Sequence, residues 1–172
     1  MARRQLVFCF ETNNRAGTDY VYVKDTLERF YELDKLEPIK PIYMGGKQKY
    51  NSKDIEKKIK SLTKDYPGKI KIFYCIDTDH IDTNPVQVKE FKNISDYCNA
   101  HGYEMIWFCR DIEEVYLGSS VPDKEKVSKA KTFRTGKGID KVSKNRLDGK
   151  EPHAGTSNIL RVLDKYLTRK DK

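Results

Sequence analysis

Two apolar segments of the chain each end in acidic residues, and this repeated ending constrains the fold more than any other feature. The segment 71–76 is rich in β-branched and aromatic residues and runs into Asp77 and Asp79. The segment 6–10 has a similar composition and ends at Glu11. Buried parallel strands have this composition, and ligands bind beyond their carboxyl ends. We therefore expect Glu11, Asp77 and Asp79 to meet at one edge of a sheet, placed to share a cation.

Strand and helix patterns alternate along the rest of this region. Apolar residues at helical spacing begin near Thr18, Asn51 and Asn84, each preceding or lying at a plausible cap. Short apolar runs at residues 41–44 and 103–109 indicate two further strands. The order β-α-β-α-β-α-β predicts an α/β fold of Rossmann-like type, with a mostly parallel sheet of about four strands flanked by helices.

Charge divides the chain into two unequal parts. Residues 1–123 carry 19 Lys and Arg against 20 Asp and Glu, whereas residues 124–172 carry 15 against 6. We expect residues 1–120 to form the α/β domain and residues 121–172 to form a basic, helical C-terminal extension that packs on or beside it, with a long loop over 132–156. A basic appendage favours a polyanion, so we expect nucleic acid as the partner. The side chains predicted to contact it are Lys47, Lys49, Lys129, Lys131, Arg134 and Lys137.

Cysteine usage and hydropathy indicate the compartment. The four cysteines lie in apolar segments without a C-x-x-C pair, which is typical of reduced core thiols. No apolar run approaches the roughly 20 residues needed to span a bilayer. The first apolar run stops at Glu11 without a cleavage site of small residues, so it is interpreted as a strand and not a signal peptide. We expect a cytoplasmic protein that does not enter a membrane.

A glutamate after the first strand and an Asp-x-Asp after the third resemble the Toprim domain, the metal-binding module of type IA and II topoisomerases, bacterial primases and several nuclease families. The resemblance covers roughly residues 5–117. It implies that Asp77 and Asp79 bind Mg²⁺ or Mn²⁺, and that Glu11 is a further ligand or a general acid/base. The segment that begins at Glu114 is similar to the Glu-x-aromatic-Leu segment of stand-alone RloB-type Toprim proteins and phage-defence Toprim nucleases. It implies a catalytic Glu114, with Glu113 as the alternative in the neighbouring register.

The resemblance implies a metal-dependent nuclease that cleaves DNA or RNA and acts in phage defence, with a separate ATPase as a candidate partner that the sequence does not decide. Two alternatives stay open. A non-catalytic protein that binds nucleic acid or another partner is favoured by Thr12, because a glycine usually follows the Toprim glutamate. An RNA-processing Toprim ribonuclease usually has Asp-Pro-Asp, and this chain has Thr78 in the middle position. The choice between DNA and RNA and the oligomeric state are not predicted.

Overall fold

A computed structural model describes residues 3–13, 17–34 and 36–170 of the chain. Its centre is a five-stranded sheet in which four strands run parallel and one edge strand runs antiparallel. The predicted α/β fold with a mostly parallel, helix-flanked sheet is confirmed, with one short strand more than the sequence indicates. In their order across the sheet the strands are β2 (Lys40–Tyr43), β1 (Arg4–Phe10), β3 (Lys69–Asp77), β4 (Glu104–Cys109) and β5 (Thr156–Ser157).

Local sequence signals fix the ends of several helices. The Asn84 side chain accepts a hydrogen bond from the backbone N–H two residues later at 3.0 Å, and Pro85 is the first residue of the third helix. Gly102 ends that helix in the left-handed conformation. The sequence predicts Asn51 as the cap of the second helix, but the observed cap is Ser52, one residue later. The described helices are α1 (Thr18–Phe30), α2 (Lys53–Thr63), α3 (Pro85–His101), α4 (Ile112–Leu117), α5 (Asp123–Thr135), α6 (Lys144–Leu147) and α7 (Ile159–Leu163), with 3-10 turns at Lys47–Lys49 and Gly138–Lys141.

Alternate residues of the central strands face opposite sides of the sheet, and each side packs its own apolar core. Leu6, Phe8 and Phe10 of β1 face one core, which α1, α4, α5 and α7 complete. Val7 and Cys9 face the other core, which α2 and α3 complete. Because helices cover both faces, the central parts of β1, β3 and β4 are apolar without interruption, and this explains the apolar runs in the sequence.

Residues 121–172 bury apolar side chains in the core on the α1 side of the sheet and supply β5. The predicted long loop over 132–156 is wrong in part, because a 3-10 turn and α6 lie within it. Its scattered apolar residues Ile139, Val142 and Leu147 are buried against the core. Isolated apolar residues without a helical or strand period give no local signal, although tertiary packing orders them.

The four cysteines are free and buried, which confirms the prediction of core thiols. Burial raises the pKa of the Cys9 and Cys98 thiols, so neither ionises near neutral pH. Within the described ranges, no helix is both long and apolar enough to cross a membrane.

Candidate functional site

The carboxyl edge of the sheet brings Glu11 and Asp77 together. Strands β1 and β3 are parallel neighbours, and their register places Phe10 beside Cys75. Glu11 and Asp77 therefore follow at the same edge of the sheet, as the sequence predicts. The Glu11 Oε2 atom accepts a hydrogen bond from the backbone N–H of Asp77 at 3.0 Å. This bond fixes one carboxylate oxygen of Glu11 above the end of β3.

Asp77 is held from its other side by the next strand–helix connection. Its Oδ1 atom accepts a hydrogen bond from the backbone N–H of Ile112, the first residue of α4, at 3.0 Å. Burial raises the pKa of Asp77 well above its ordinary value, and the charges of Glu11, Asp19 and Glu113 raise it further. Several acidic side chains thus lie close enough to Asp77 for their negative charges to disfavour its ionisation.

The pKa of Glu11 is raised from 4.5 to about 7, mainly by burial. The hydrogen bond from the Asp77 backbone and the charge of Lys47 oppose this rise, while the charges of Asp79 and Glu90 add to it. A carboxyl group with a pKa near neutrality can accept or donate a proton under physiological conditions. Glu11 therefore has the property expected of a general acid/base.

Asp79 lies in a different local setting, on a residue with a left-handed backbone (φ 50°). Its backbone N–H donates to the carbonyl oxygen of Arg110 at 2.9 Å, which ties the loop after β3 to the loop after β4. Its Oδ2 atom forms an ion pair with the Lys47 ammonium group. Aspartate adopts this conformation more readily than most residues, and the two contacts hold it there.

Lys47 is an internal cation of the site. The residue is 8% exposed, and its Nζ atom donates to the carbonyl oxygen of Asp77 at 3.1 Å and to Gln87 Oε1 at 2.8 Å. Glu90 Oε2 lies 3.4 Å from the same ammonium group. In this arrangement the predicted nucleic-acid contact of Lys47 is replaced by contacts within the protein, because the amine points into the acidic cluster.

Two further acids belong to the cluster and were not among the predicted site residues, although Glu113 was considered as an alternative. Asp19 is 4% exposed on α1, and burial followed by the charges of Glu113 and Glu11 raises its pKa to about 7. Glu113 is fully buried on α4, 3.4 Å from the ammonium group of Lys126 on α5. Asp19 precedes the apolar Val23 by four residues, so its helical spacing places it on the buried face of α1. That signal was present in the sequence.

Glu114 lies beside this cluster. Its backbone N–H donates to the capping side chain of Asp111 at 2.8 Å, and its Oε2 atom accepts from the backbone N–H of Arg110 at 3.4 Å. The charge of Glu113 contributes to the raised pKa of Asp77. The alternative register, in which Glu113 is the relevant residue, therefore has the more direct electrostatic connection to Asp77. The catalytic role of Glu114 stays a prediction.

The predicted basic contacts have different surroundings. The side chain of Arg134 forms an ion pair with Asp25 and lies 3.4 Å from Glu28, so its charge is largely balanced within the protein. Four of the predicted basic residues are exposed to solvent, where they could contact a polyanion. They are Lys49, Lys129, Lys131 and Lys137.

In the part of the chain that the structure describes, no three His, Cys, Asp or Glu side chains are grouped in a way that could hold a metal ion. One oxygen each of Glu11 and Asp77 is engaged by a backbone N–H, and Asp79 is engaged by Lys47. Comparison of the chain with models of protein families, with curated proteins and with solved structures finds no significant match.

Proposed function

We propose that this protein is a metal-dependent phosphodiester hydrolase that cleaves nucleic acid with a Toprim-like site. The observation that carries the proposal is the pairing of Glu11 and Asp77 at the ends of neighbouring parallel strands. The charge of Glu11 raises the pKa of Asp77, in a region where burial already disfavours ionisation. Such arrangements lower the stability of a fold and are commonly retained at functional sites.

The chemistry of the donor set fits Mg²⁺ or Mn²⁺. Asp77 and Asp79 supply carboxylate oxygens, the ligands that these cations prefer, and Glu11 is either a further ligand or the general acid/base. Burial, followed by the charges of neighbouring acids, raises the pKa of Asp77, and a cation at its carboxylate would oppose both effects. A bound divalent cation would activate water and neutralise charge on the leaving oxygen of a phosphodiester. Coordination by Asp79 requires its ion pair with Lys47 to open or to be shared.

The residues of the chain have separable roles in this proposal. Glu11 holds a proton near neutral pH and can transfer it at its carboxylate, because its pKa is about 7. The backbone N–H of Ile112 holds Asp77 in one orientation. Lys47 restrains Asp79 and balances part of the negative charge when the substrate is absent. Exposed lysines of the C-terminal extension would bind phosphates without sequence preference.

A cleavage screen tests the proposal. End-labelled single-stranded DNA, duplex DNA, single-stranded RNA and hairpin RNA are incubated with Mg²⁺ or Mn²⁺, with an EDTA control. We expect at least one substrate to be cut by the wild type, and we expect Asp77→Asn to lose about 10²–10⁴-fold in rate, as is typical for a catalytic group. Asp96→Asn, an exposed acid on α3, is the matched control and should cut normally. Equal rates for the two variants would contradict the assignment of Asp77.

A second candidate function is a non-catalytic protein that binds nucleic acid or another partner. The ion pair between Lys47 and Asp79 favours it, because an internal ammonium group already balances one of the acids that a metal would need. Absence of cleavage across all substrates, together with absence of metal binding, would support this alternative. The role in phage defence and the ATPase partner stay predictions from the resemblance.

A further inference from the structure

A surface groove lies between the edge strand β2 and helix α2, beside the acidic site. Its volume is about 520 Å³, within the range of roughly 300–1,000 Å³ typical of small-ligand sites. The wall includes apolar atoms of Pro41, Met44 and Leu62, and Lys58 and Ser61 of α2 add polar groups. The groove therefore combines an apolar surface with a cationic rim.

One end of the groove adjoins the segment that carries Glu11. Its lining includes Asn13 and Gly45, and Asn13 lies two residues after Glu11. The backbone N–H groups of Gly45 and Gly46 donate to the carbonyl oxygens of Thr12 and Glu11, at 3.3 and 2.8 Å. These bonds fix the end of the groove against the segment that carries Glu11. A molecule in the groove would therefore lie beside the segment that carries Glu11.

The charge at this end of the groove is suited to a phosphate. The ammonium group of Lys49 lies 3.5 Å from the position that a Cβ atom on Gly45 would occupy, and Gly45 lines the groove. Gly45 has a left-handed backbone (φ 71°), and the lack of a side chain keeps the space beside this amine open. On the α2 wall, Lys58 adds a second cation, half exposed and paired with the more exposed Asp54.

We infer that this groove binds one nucleotide of a single strand, next to the phosphodiester that enters the acidic site. The inference rests on the proposed function and specifies its substrate class. An unpaired base can bury a flat apolar face against the wall formed by residues such as Leu62, while its phosphate meets Lys49 or Lys58. A base within a duplex is stacked and paired, so it cannot enter the groove without being extruded.

A peptide that adds a strand to β2 fits this edge less well. Strand addition depends on a row of free backbone donors and acceptors along the sheet edge. Pro41 lies in the middle of the four-residue β2 and has no N–H to donate. The lysines at the rim also have no role in main-chain pairing. Single-stranded nucleic acid is therefore the occupant that the groove favours.

The test is binding of fluorescein-labelled, single-stranded DNA and RNA octamers, measured by fluorescence anisotropy in EDTA so that no cleavage occurs. Ser61→Trp fills the groove from an exposed position of α2, and Lys58→Glu reverses the charge of its rim. Lys57→Glu is the matched control, because it makes the same charge change on an exposed residue of α2 outside the groove lining. Thermal unfolding verifies that each variant is folded.

We expect Ser61→Trp and Lys58→Glu to weaken single-strand binding about five- to tenfold, as loss of a stacked base typically does, and Lys57→Glu to weaken it less than twofold. Duplex binding should be insensitive to Ser61→Trp. The inference is overturned if the wild type does not bind the octamers, or if Ser61→Trp binds them normally. Both results are independent of cleavage. Groove-dependent binding without cleavage in Mg²⁺ or Mn²⁺ would refute the nuclease proposal and leave the groove assignment standing.

Discussion

Replacing Glu11 with glutamine distinguishes the effect of its buried charge on the free energy of unfolding from its role in the site. Glutamine keeps an oxygen that can accept the hydrogen bond from the Asp77 backbone, at 3.0 Å in the wild type, and it removes the charge. The pKa of Glu11 rises from 4.5 to about 7 in the folded protein. The folded state thus binds this proton more tightly than the unfolded state does, and the stability of the wild type falls as pH rises between these values.

The pKa values set the size and the pH window of the effect. At pH 4.5 the carboxyl group is neutral in the folded state and half ionised in the unfolded state, so the wild type and Glu11→Gln should differ by less than about 0.5 kcal/mol. Above pH 7 the full shift applies, and it corresponds to about 3 kcal/mol at about 1.4 kcal/mol per pKa unit. We expect Glu11→Gln to be more stable than the wild type by up to that amount at pH 8.

Urea unfolding followed by circular dichroism, at pH 4.5 and pH 8 in EDTA, measures this difference. Glu56→Gln, an exposed glutamate on α2, is the matched control and should change stability by less than about 0.5 kcal/mol at either pH. A Glu11→Gln variant that is equally destabilised at both pH values would contradict a raised pKa of Glu11, because the effect would then be a loss of packing or hydrogen bonding. The same variant should also lose cleavage activity, so stability and activity should change in opposite directions.

Three further perturbations have defined outcomes. Asp19→Asn should stabilise the protein at pH 8 by up to about 4 kcal/mol in urea unfolding, and not at pH 4, because burial raises the pKa of Asp19 from 3.8 to about 7. A variant and wild type of equal stability at pH 8 would contradict that burial. Lys47→Met should destabilise the protein by about 1–3 kcal/mol in EDTA. This is less than the ~3–5 kcal/mol expected for a fully buried pair, because Asp79 is half exposed. Mn²⁺ should raise the melting temperature of the variant more than that of the wild type. The variant in which Lys129, Lys131 and Lys137 are all alanine should show a weaker salt dependence of nucleic-acid binding, by about 2–3 in the slope of log affinity against log salt concentration. An unchanged slope would assign these exposed lysines to solubility alone.

The sequence predicts those parts of the fold whose signals are local. The strands β1, β3 and β4 are continuous apolar runs, and α3 has both an Asn-Pro start and a Gly end, so each could be recognised without its neighbours. The strand β5 is two residues long and pairs with β4 from 47 or more residues away along the chain, so no pattern within it indicates a strand. The same reason applies to α6, which is four residues long.

The candidate site was predictable to a similar degree. Glu11 and Asp77 follow apolar runs, and the parallel order of the strands places them at one edge. The inward orientation of Lys47 was not predictable, because a lysine after two glycines is more often exposed. Its amine forms ion pairs with Asp79 and Glu90, which lie on two separate segments far along the chain. Arg134 was expected to face a polyanion, and its pairing with Asp25 arises from the packing of α5 on α1.

The most direct measurement of the central claim is calorimetric titration of Mn²⁺ into the wild type, Asp77→Asn and the control Asp96→Asn at pH 7.5. We expect saturable binding to the wild type and to Asp96→Asn. Binding to Asp77→Asn should be at least tenfold weaker, because one charged oxygen ligand of the site becomes neutral. Binding of equal strength in all three proteins, or no saturable binding in any of them, would contradict a metal site at the carboxyl edge of the sheet.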